Sequence, residues 1–371
     1  MASRAAFTID AARLALQRSY TAHMLRTSVA LVLLITAFSS VADETRAKAI
    51  HDATVLVDEG KIDQAIAALK KLVAEEPTDT VAAHELGLAY AAKGDNANCR
   101  ATLEPLAETK SAHRTAILSM LGNCLDQMGE SEKAMTAYRR GLEESADDSG
   151  LLFNLAVTLA QRGKIDEARE LLKHDIEKNP THVSAHLVLG RIFEAQGFHV
   201  PAMFSYLHFL ALEPATNRSA TAAANLSNLL GRGYEKTKKG ANITIDTNAR
   251  KEEGDYTSMQ MMIAIARGGS AIDEKKKTEF EKLQDQLTSI ITMFVELAGA
   301  EHDDFTSRVQ TPFFTSMSKA KQVDAFAGIA LATLKVPGTE QWAKSHEKEI
   351  SAYFDWIRPQ LKRPTVILPK K

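Results

Sequence analysis

Five glycines keep step along the chain: Gly60, Gly94, Gly129, Gly163 and Gly197, at spacings of 34, 35, 34 and 34 residues. A period of that length fixes one supersecondary unit of one size. Each unit must bury its apolar face against the next, because none can do so alone. Two of the glycines stand in nearly the same words, Asp58-Glu59-Gly60-Lys61-Ile62-Asp63-Gln64-Ala65 and Gln161-Arg162-Gly163-Lys164-Ile165-Asp166-Glu167-Ala168, with looser copies around Gly94 and Gly129. The composition agrees with a helical unit: 45% of residues are hydrophobic, only 6% are aromatic, and β-branched runs are short.

The residues around each glycine repeat as well. Four places before it stand Leu56, Tyr90, Leu125, Leu159 and Phe193, and seven places before it the small residues Ala53, Gly87, Gly122, Ala156 and Gly190. Five places after it come Ala65, Cys99, Ala134, Ala168 and Ala202, and nine after it Leu69, Leu103, Tyr138, Leu172 and Tyr206. Large beside small on facing ridges lets two helices approach closely, with the glycine as a left-handed turn between them. Pro77, Pro180 and Pro214 fall seventeen places after their glycines, where the second helix must stop; Ser111 and Ala146 take that place in the other copies.

This pattern resembles the tetratricopeptide repeat over roughly residues 46 to 214, and Gly231 keeps the phase as a sixth first helix before Lys236 and Gly240 interrupt it. The resemblance implies an all-α fold: a right-handed superhelix of about five to six helical hairpins, followed by a smaller C-terminal helical bundle. Asp52 stands where later copies have Leu86, Leu121, Leu155 and Leu189, as expected of a repeat that caps the stack. The expected organisation is a signal segment over 1–42, the repeat solenoid over 43–240, a helical domain over 241–360 and an extended tail over 361–371. In the third segment, helical spacing of apolar residues predicts helices over Tyr256–Arg267, Glu274–Ala298, Val323–Leu334 and Glu340–Ile357, punctuated by Gly268-Gly269, Thr311-Pro312 and Pro337-Gly338. Asn242 to Thr247 reads as a short extended piece.

From Met24 the chain reads Met-Leu-Arg, then an apolar run from Val29 to Phe38, then Ser39-Ser40-Val41-Ala42. A basic start, a greasy core of about ten residues and a small-residue exit describe a secretory signal cleaved after Ala42. The run is too short for a membrane span of about 20 residues. Export, to the periplasm of a Gram-negative bacterium, is the expectation, with a mature chain that has no stable membrane span; Arg4, Arg13 and Arg18 keep organellar import as the alternative.

The 47 acidic and 45 basic residues are well mixed, for a formal charge of -2, so no extended positive field invites nucleic acid. No phosphate-binding glycine loop, Gly-x-Ser-x-Gly or His-Glu-x-x-His occurs. No cofactor and no metal is expected. His182 and His186 stand one helical turn apart with His199 and His208 nearby, but the spacing supplies only one pair on a helix. Met259, Met261 and Met262 point to different faces and read as core filling. The two cysteines, Cys99 and Cys124, sit on helices expected to pack together; they read either as a disulfide or as two buried small hydrophobes.

What the resemblance implies about function is a non-enzymatic scaffold of the cell envelope whose first helices line a groove for a peptide or helix of another protein. The inward positions, counted back from each glycine, are His84 and Leu88; Asn123 and Asp126; Phe153 and Val157; Leu187, Arg191 and Glu194. Some relatives clamp a terminal carboxylate with cations around two asparagines. Here Asn123 and Asn154 are present, but Ser119, Ser184 and Val188 stand where the cations would be, so that clamp is not expected. The alternative is a ligand-binding or enzymatic C-terminal helical domain that the repeats merely present.

Overall fold

The structure is a computed structural model, and it describes residues 41–237, 240–244, 251–272, 277–301 and 304–362. The expected signal up to residue 40 and all but the first two residues of the expected tail lie outside the described residues. Contacts divide the chain into two compact units between Leu171 and Leu172.

In the first unit the helices run as hairpins: α1 (Val41–Asp58) with α2 (Ile62–Glu75), α3 (Thr80–Lys93) with α4 (Asn96–Leu103), and α5 (Arg114–Gln127) with α6 (Ser131–Glu144). α7 (Ser149–Gln161) follows, and α8 (Ile165–Lys178) carries the chain from the first unit into the second. The first helices α1, α3, α5 and α7 pack side by side in order. Acidic side chains start two of them: Asp79 accepts hydrogen bonds from the backbone of Val81 and Ala82, and Asp148 from Leu151. All five turn glycines are left-handed, with φ between 76° and 84°.

The large-beside-small rule has a geometric cause. A Cβ built on Gly87 would stand 2.9 Å from Leu103 Cδ1, and one on Gly122 would collide with the Tyr138 ring. Only a missing side chain lets the two helices of those hairpins close on each other. Leu86, Leu121 and Leu155 are buried, whereas Asp52 at the matching place is exposed. Cys99 and Cys124 form a disulfide, with their Cα atoms 6.3 Å apart, which ties α4 to α5.

The second unit is built around one helix. α9 (Val183–Ala195) pairs with α10 (His199–Leu212), and every residue of α10 from Val200 to Leu212 is buried. Around it pack α11 (Asn217–Gly231), α14 (Phe305–Lys319) and α15 (Val323–Leu331). Phe204 of α10 stacks on Phe294 of α13 (Glu279–Glu301) with ring centroids 3.6 Å apart, and Tyr353 of α17 (Glu347–Ile357) donates a 3.0 Å hydrogen bond to the Ala211 carbonyl. The fifth hairpin and the C-terminal helices thus share one core.

α11 keeps the phase of Gly231 and packs on α10 as a sixth first helix. Its second helix is replaced by an antiparallel pair, β1 (Tyr234–Thr237) and β2 (Gly240–Ile243), with Tyr234 opposite Ile243. This hairpin is the departure from helix among the described residues. After α12 (Thr257–Ile272) and α13, α14 runs straight through Thr311 and Pro312, and α12 runs through Gly268-Gly269, so neither pair is the break the sequence reading placed there. In α14 the apolar residues Phe305, Phe314 and Met317 are buried at helical spacing and Asp304 caps the start, which outweighs the missing donor of Pro312 and its ring's crowding of the carbonyl one turn earlier. The predicted helix over Glu340–Ile357 is two, α16 (Thr339–Ser345) and α17, parted at His346.

Candidate functional site

Within the first unit, α3, α5 and α7 place the predicted inward residues on three neighbouring helices. His84, Leu88, Asn123, Asp126, Phe153 and Val157 are all half-buried, so each presents part of its side chain to solvent. The positions form a ladder: Leu88, Asn123 and Val157 all stand six places before their turn glycines, with His84 and Phe153 one turn earlier. At the level six places before the glycines, the rungs are apolar on α3 and α7 (Leu88, Val157) and polar on α5 (Asn123).

Asn123 is held from two sides. Its Oδ1 accepts from the Tyr138 hydroxyl at 2.8 Å and from Asn154 Nδ2 at 2.8 Å. Those two bonds fix the amide and leave its Nδ2 hydrogens to donate elsewhere. Burial, and after it the Asp126 carboxylate, push the Tyr138 phenol above its ordinary value, so it stays a neutral donor to Asn123. Asp126 itself accepts from Ser131 Oγ at 3.2 Å, and His84 Nδ1 lies 3.2 Å from Glu85 Oε1. The arrangement offers a preset amide donor between apolar rungs. It can bind a peptide carbonyl beside aliphatic side chains.

The second unit repeats the motif with a different chemistry. On α9, Glu194 Oε2 accepts from the Tyr206 hydroxyl at 2.7 Å, and Asn225 Nδ2 of α11 donates to the same hydroxyl at 3.1 Å. Burial and the bond to Glu194 raise the Tyr206 phenol, while Arg191 nearby acts the other way. Arg191 is exposed and Glu194 half-buried. Leu187 departs from the sequence reading: it is 3% exposed, so it belongs to the core of this unit and offers no surface to a partner. The signal that marked this was α10, apolar on all sides, since such a helix must be covered all round by further chain.

The remaining candidates are occupied by structural duties. His186 Nε2 donates to the Pro180 carbonyl at 2.8 Å, and its ring stacks on His208 at 4.0 Å; His208 Nδ1 meets Gln310 Oε1 at 2.6 Å. Stacked rings cannot aim two nitrogens at one ion. Among the described residues no three His, Cys, Asp or Glu side chains come together as ligands for a metal. Of the methionines, Met259 is buried, but Met261 is 48% exposed and does not fill the core. Ser184, at a clamp position, accepts from Arg218 Nη1 at 2.9 Å, and Arg218 is in turn neutralised by Glu213. None of the described helices is long and apolar enough to cross a membrane.

Residues 56–111 and 127–192 match the tetratricopeptide repeat family. With the hairpin geometry above, those residues form tetratricopeptide repeats. It is similar to mouse tetratricopeptide repeat protein 21A, with 24% identity over 313 residues, and it covers 77% of its own length but only 23% of that relative's. Among solved structures, PilF of Pseudomonas aeruginosa aligns at 18% identity over 51% of this chain and 90% of that one, with a TM-score of 0.45. MamA aligns at 19% identity over 47% of this chain and 96% of its own, with a TM-score of 0.39.

Proposed function

We propose that this protein is a non-catalytic scaffold of the cell envelope that holds a segment of a partner protein against α3, α5 and α7. Repeat proteins of this family bind other proteins, and the observation that supports the site is Asn123. Two hydrogen bonds orient its amide while leaving the donors free, and Leu88 and Val157 on either side supply partly exposed apolar contacts. A segment with a backbone carbonyl between two aliphatic side chains satisfies all three rungs at once. Export follows from the leader sequence, with Asp43 as the first residue of the mature chain.

The test places a photo-crosslinking amino acid at Leu88 or Val157 in the full chain, in its own cells, with Lys133, exposed on a second helix, as control. Adducts to one partner protein at Leu88 and Val157, and none at Lys133, are the expected result. The same adducts at Lys133, or none at the ladder positions, overturn the site. N-terminal sequencing of the protein from the envelope fraction tests export: a chain still carrying residues 1–42, found in the cytosol, overturns it.

A further inference from the structure

The unpaired charges on the three helices of the docking face have one sign. α3 carries one lysine, α5 carries one arginine, and α7 carries neither. Both cations are engaged on other helices: Lys93 bonds Asp63 of α2 at 2.7 Å, and Arg114 bonds the Ala107 carbonyl at 3.0 Å and Glu144 of α6. The carboxylates that remain are Glu85, beside His84, and Asp126, beside Ser131, and among the described residues neither is paired with a lysine or arginine. Asp126 is half-buried and follows Asn123 by about one turn of α5. Both reach Tyr138, whose hydroxyl donates to Asn123 Oδ1 at 2.8 Å and whose phenol feels the Asp126 charge. An amide with hydrogens to give and a carboxylate with oxygens to receive thus stand side by side.

We propose that the partner segment held by α3, α5 and α7 is a basic one, with a lysine or arginine side chain on Asp126 next to the backbone carbonyl that Asn123 holds. This rests on the docking face proposed above and adds the sign of its occupant. Any segment laid along the ladder covers Asp126 and takes its charge further from water. A neutral segment would leave that carboxylate unpaired, and an acidic segment or a terminal carboxylate would meet like charge, whereas a cation forms a charge-assisted bond with it. The spacing follows from geometry: three residues of helix advance about 4.5 Å and an extended chain about 3.3 Å per residue, so the cation belongs one or two residues from the carbonyl.

The test selects binders of the purified full chain from a random peptide library at low salt. The native chain should enrich lysine or arginine at one position, at a fixed distance from an aliphatic residue. A labelled peptide of the selected sequence should bind about tenfold tighter by anisotropy than its analogue with glutamine at that position, and the advantage should shrink as salt is added. Asp126→Asn, which keeps an oxygen for Ser131, should lose the preference, and Asp126→Lys should select aspartate or glutamate instead. Glu143→Gln removes an exposed carboxylate from α6, away from the face, and should select as the native chain does. A native selection without excess lysine or arginine, or loss of the cation in Glu143→Gln as well as in Asp126→Asn, overturns the proposal. So does a concentration-dependent dimer that Leu88→Asp dissociates, since the occupant is then a second copy of this chain. If Leu88→Asp with Asn123→Ala selects the native sequences unchanged, peptides bind elsewhere and the docking face falls too. If that variant loses them while Asp126→Asn keeps the cation, the face stands and its preference for a basic segment falls.

Discussion

A Cβ added to Gly190 would stand 2.8 Å from Cε1 of Tyr206, whose hydroxyl is fixed between Glu194 and Asn225. The ring is anchored at its far end and cannot swing away. Gly190→Ala therefore overpacks α9 against α10 and should cost about 1–3 kcal/mol in urea denaturation. Gly60→Ala meets no atom within 4 Å, and its cost is confined to a left-handed backbone, roughly 1 kcal/mol.

How far the fold could be read from the sequence follows from the same pairing. Gly122 with Tyr138 and Gly190 with Tyr206 sit at fixed offsets from a turn glycine, so period and packing were visible together. After Gly231 the offsets end, and with them the legibility. The break expected at Pro312 is absent because the lost donor bond and the ring's clash with the carbonyl one turn earlier are outweighed by the buried face of α14, with Phe305, Phe314 and Met317. Asn123 was legible as an inward residue, but the orientation of its amide was not, because that depends on Tyr138 and Asn154 from two other helices.

The disulfide joins α4 to α5 across 25 residues. Constraining a loop of that length stabilises the folded chain by about 3.5 kcal/mol in the chain-entropy account. Protein from an oxidising compartment should take up no alkylating label on Cys99 or Cys124 until it is reduced, as read by intact mass. Cys99→Ala with Cys124→Ala should lower stability by about 2–4 kcal/mol in chemical denaturation, with the hairpins still formed by circular dichroism.

Leu187 and Leu88 are both inward positions by count from their glycines, yet one is 3% exposed and the other half-buried. Truncating Leu187 opens a cavity in the core of the second unit, so Leu187→Ala should cost about 2–5 kcal/mol. Leu88→Ala should cost clearly less in the same urea titration, while reducing crosslinks to the proposed partner segment. Equal losses for the two would place Leu88 in the core as well.

The stacked pair His186 and His208 makes the second unit acid-sensitive. Burial holds His208 down at about 4, and burial, with His208 beside it, holds His186 well below 6.5. In the unfolded chain both take up a proton near pH 6.5. Between that pH and 4 the unfolded state binds protons that the folded state refuses, so stability falls as pH falls through this window and is unaffected by these residues above it. For His208 alone the loss is on the order of 3 kcal/mol across the window. Carboxylates elsewhere titrate too, so the measurement is a difference: urea midpoints at pH 7.5, 5.5 and 4.5 for the native chain and for His186→Phe with His208→Phe. The variant gives up the bonds to Pro180 and Gln310 and should be less stable at pH 7.5, but its midpoint should fall less steeply below pH 6.5. Parallel slopes for the two proteins would mean that the pair admits protons without opening the core.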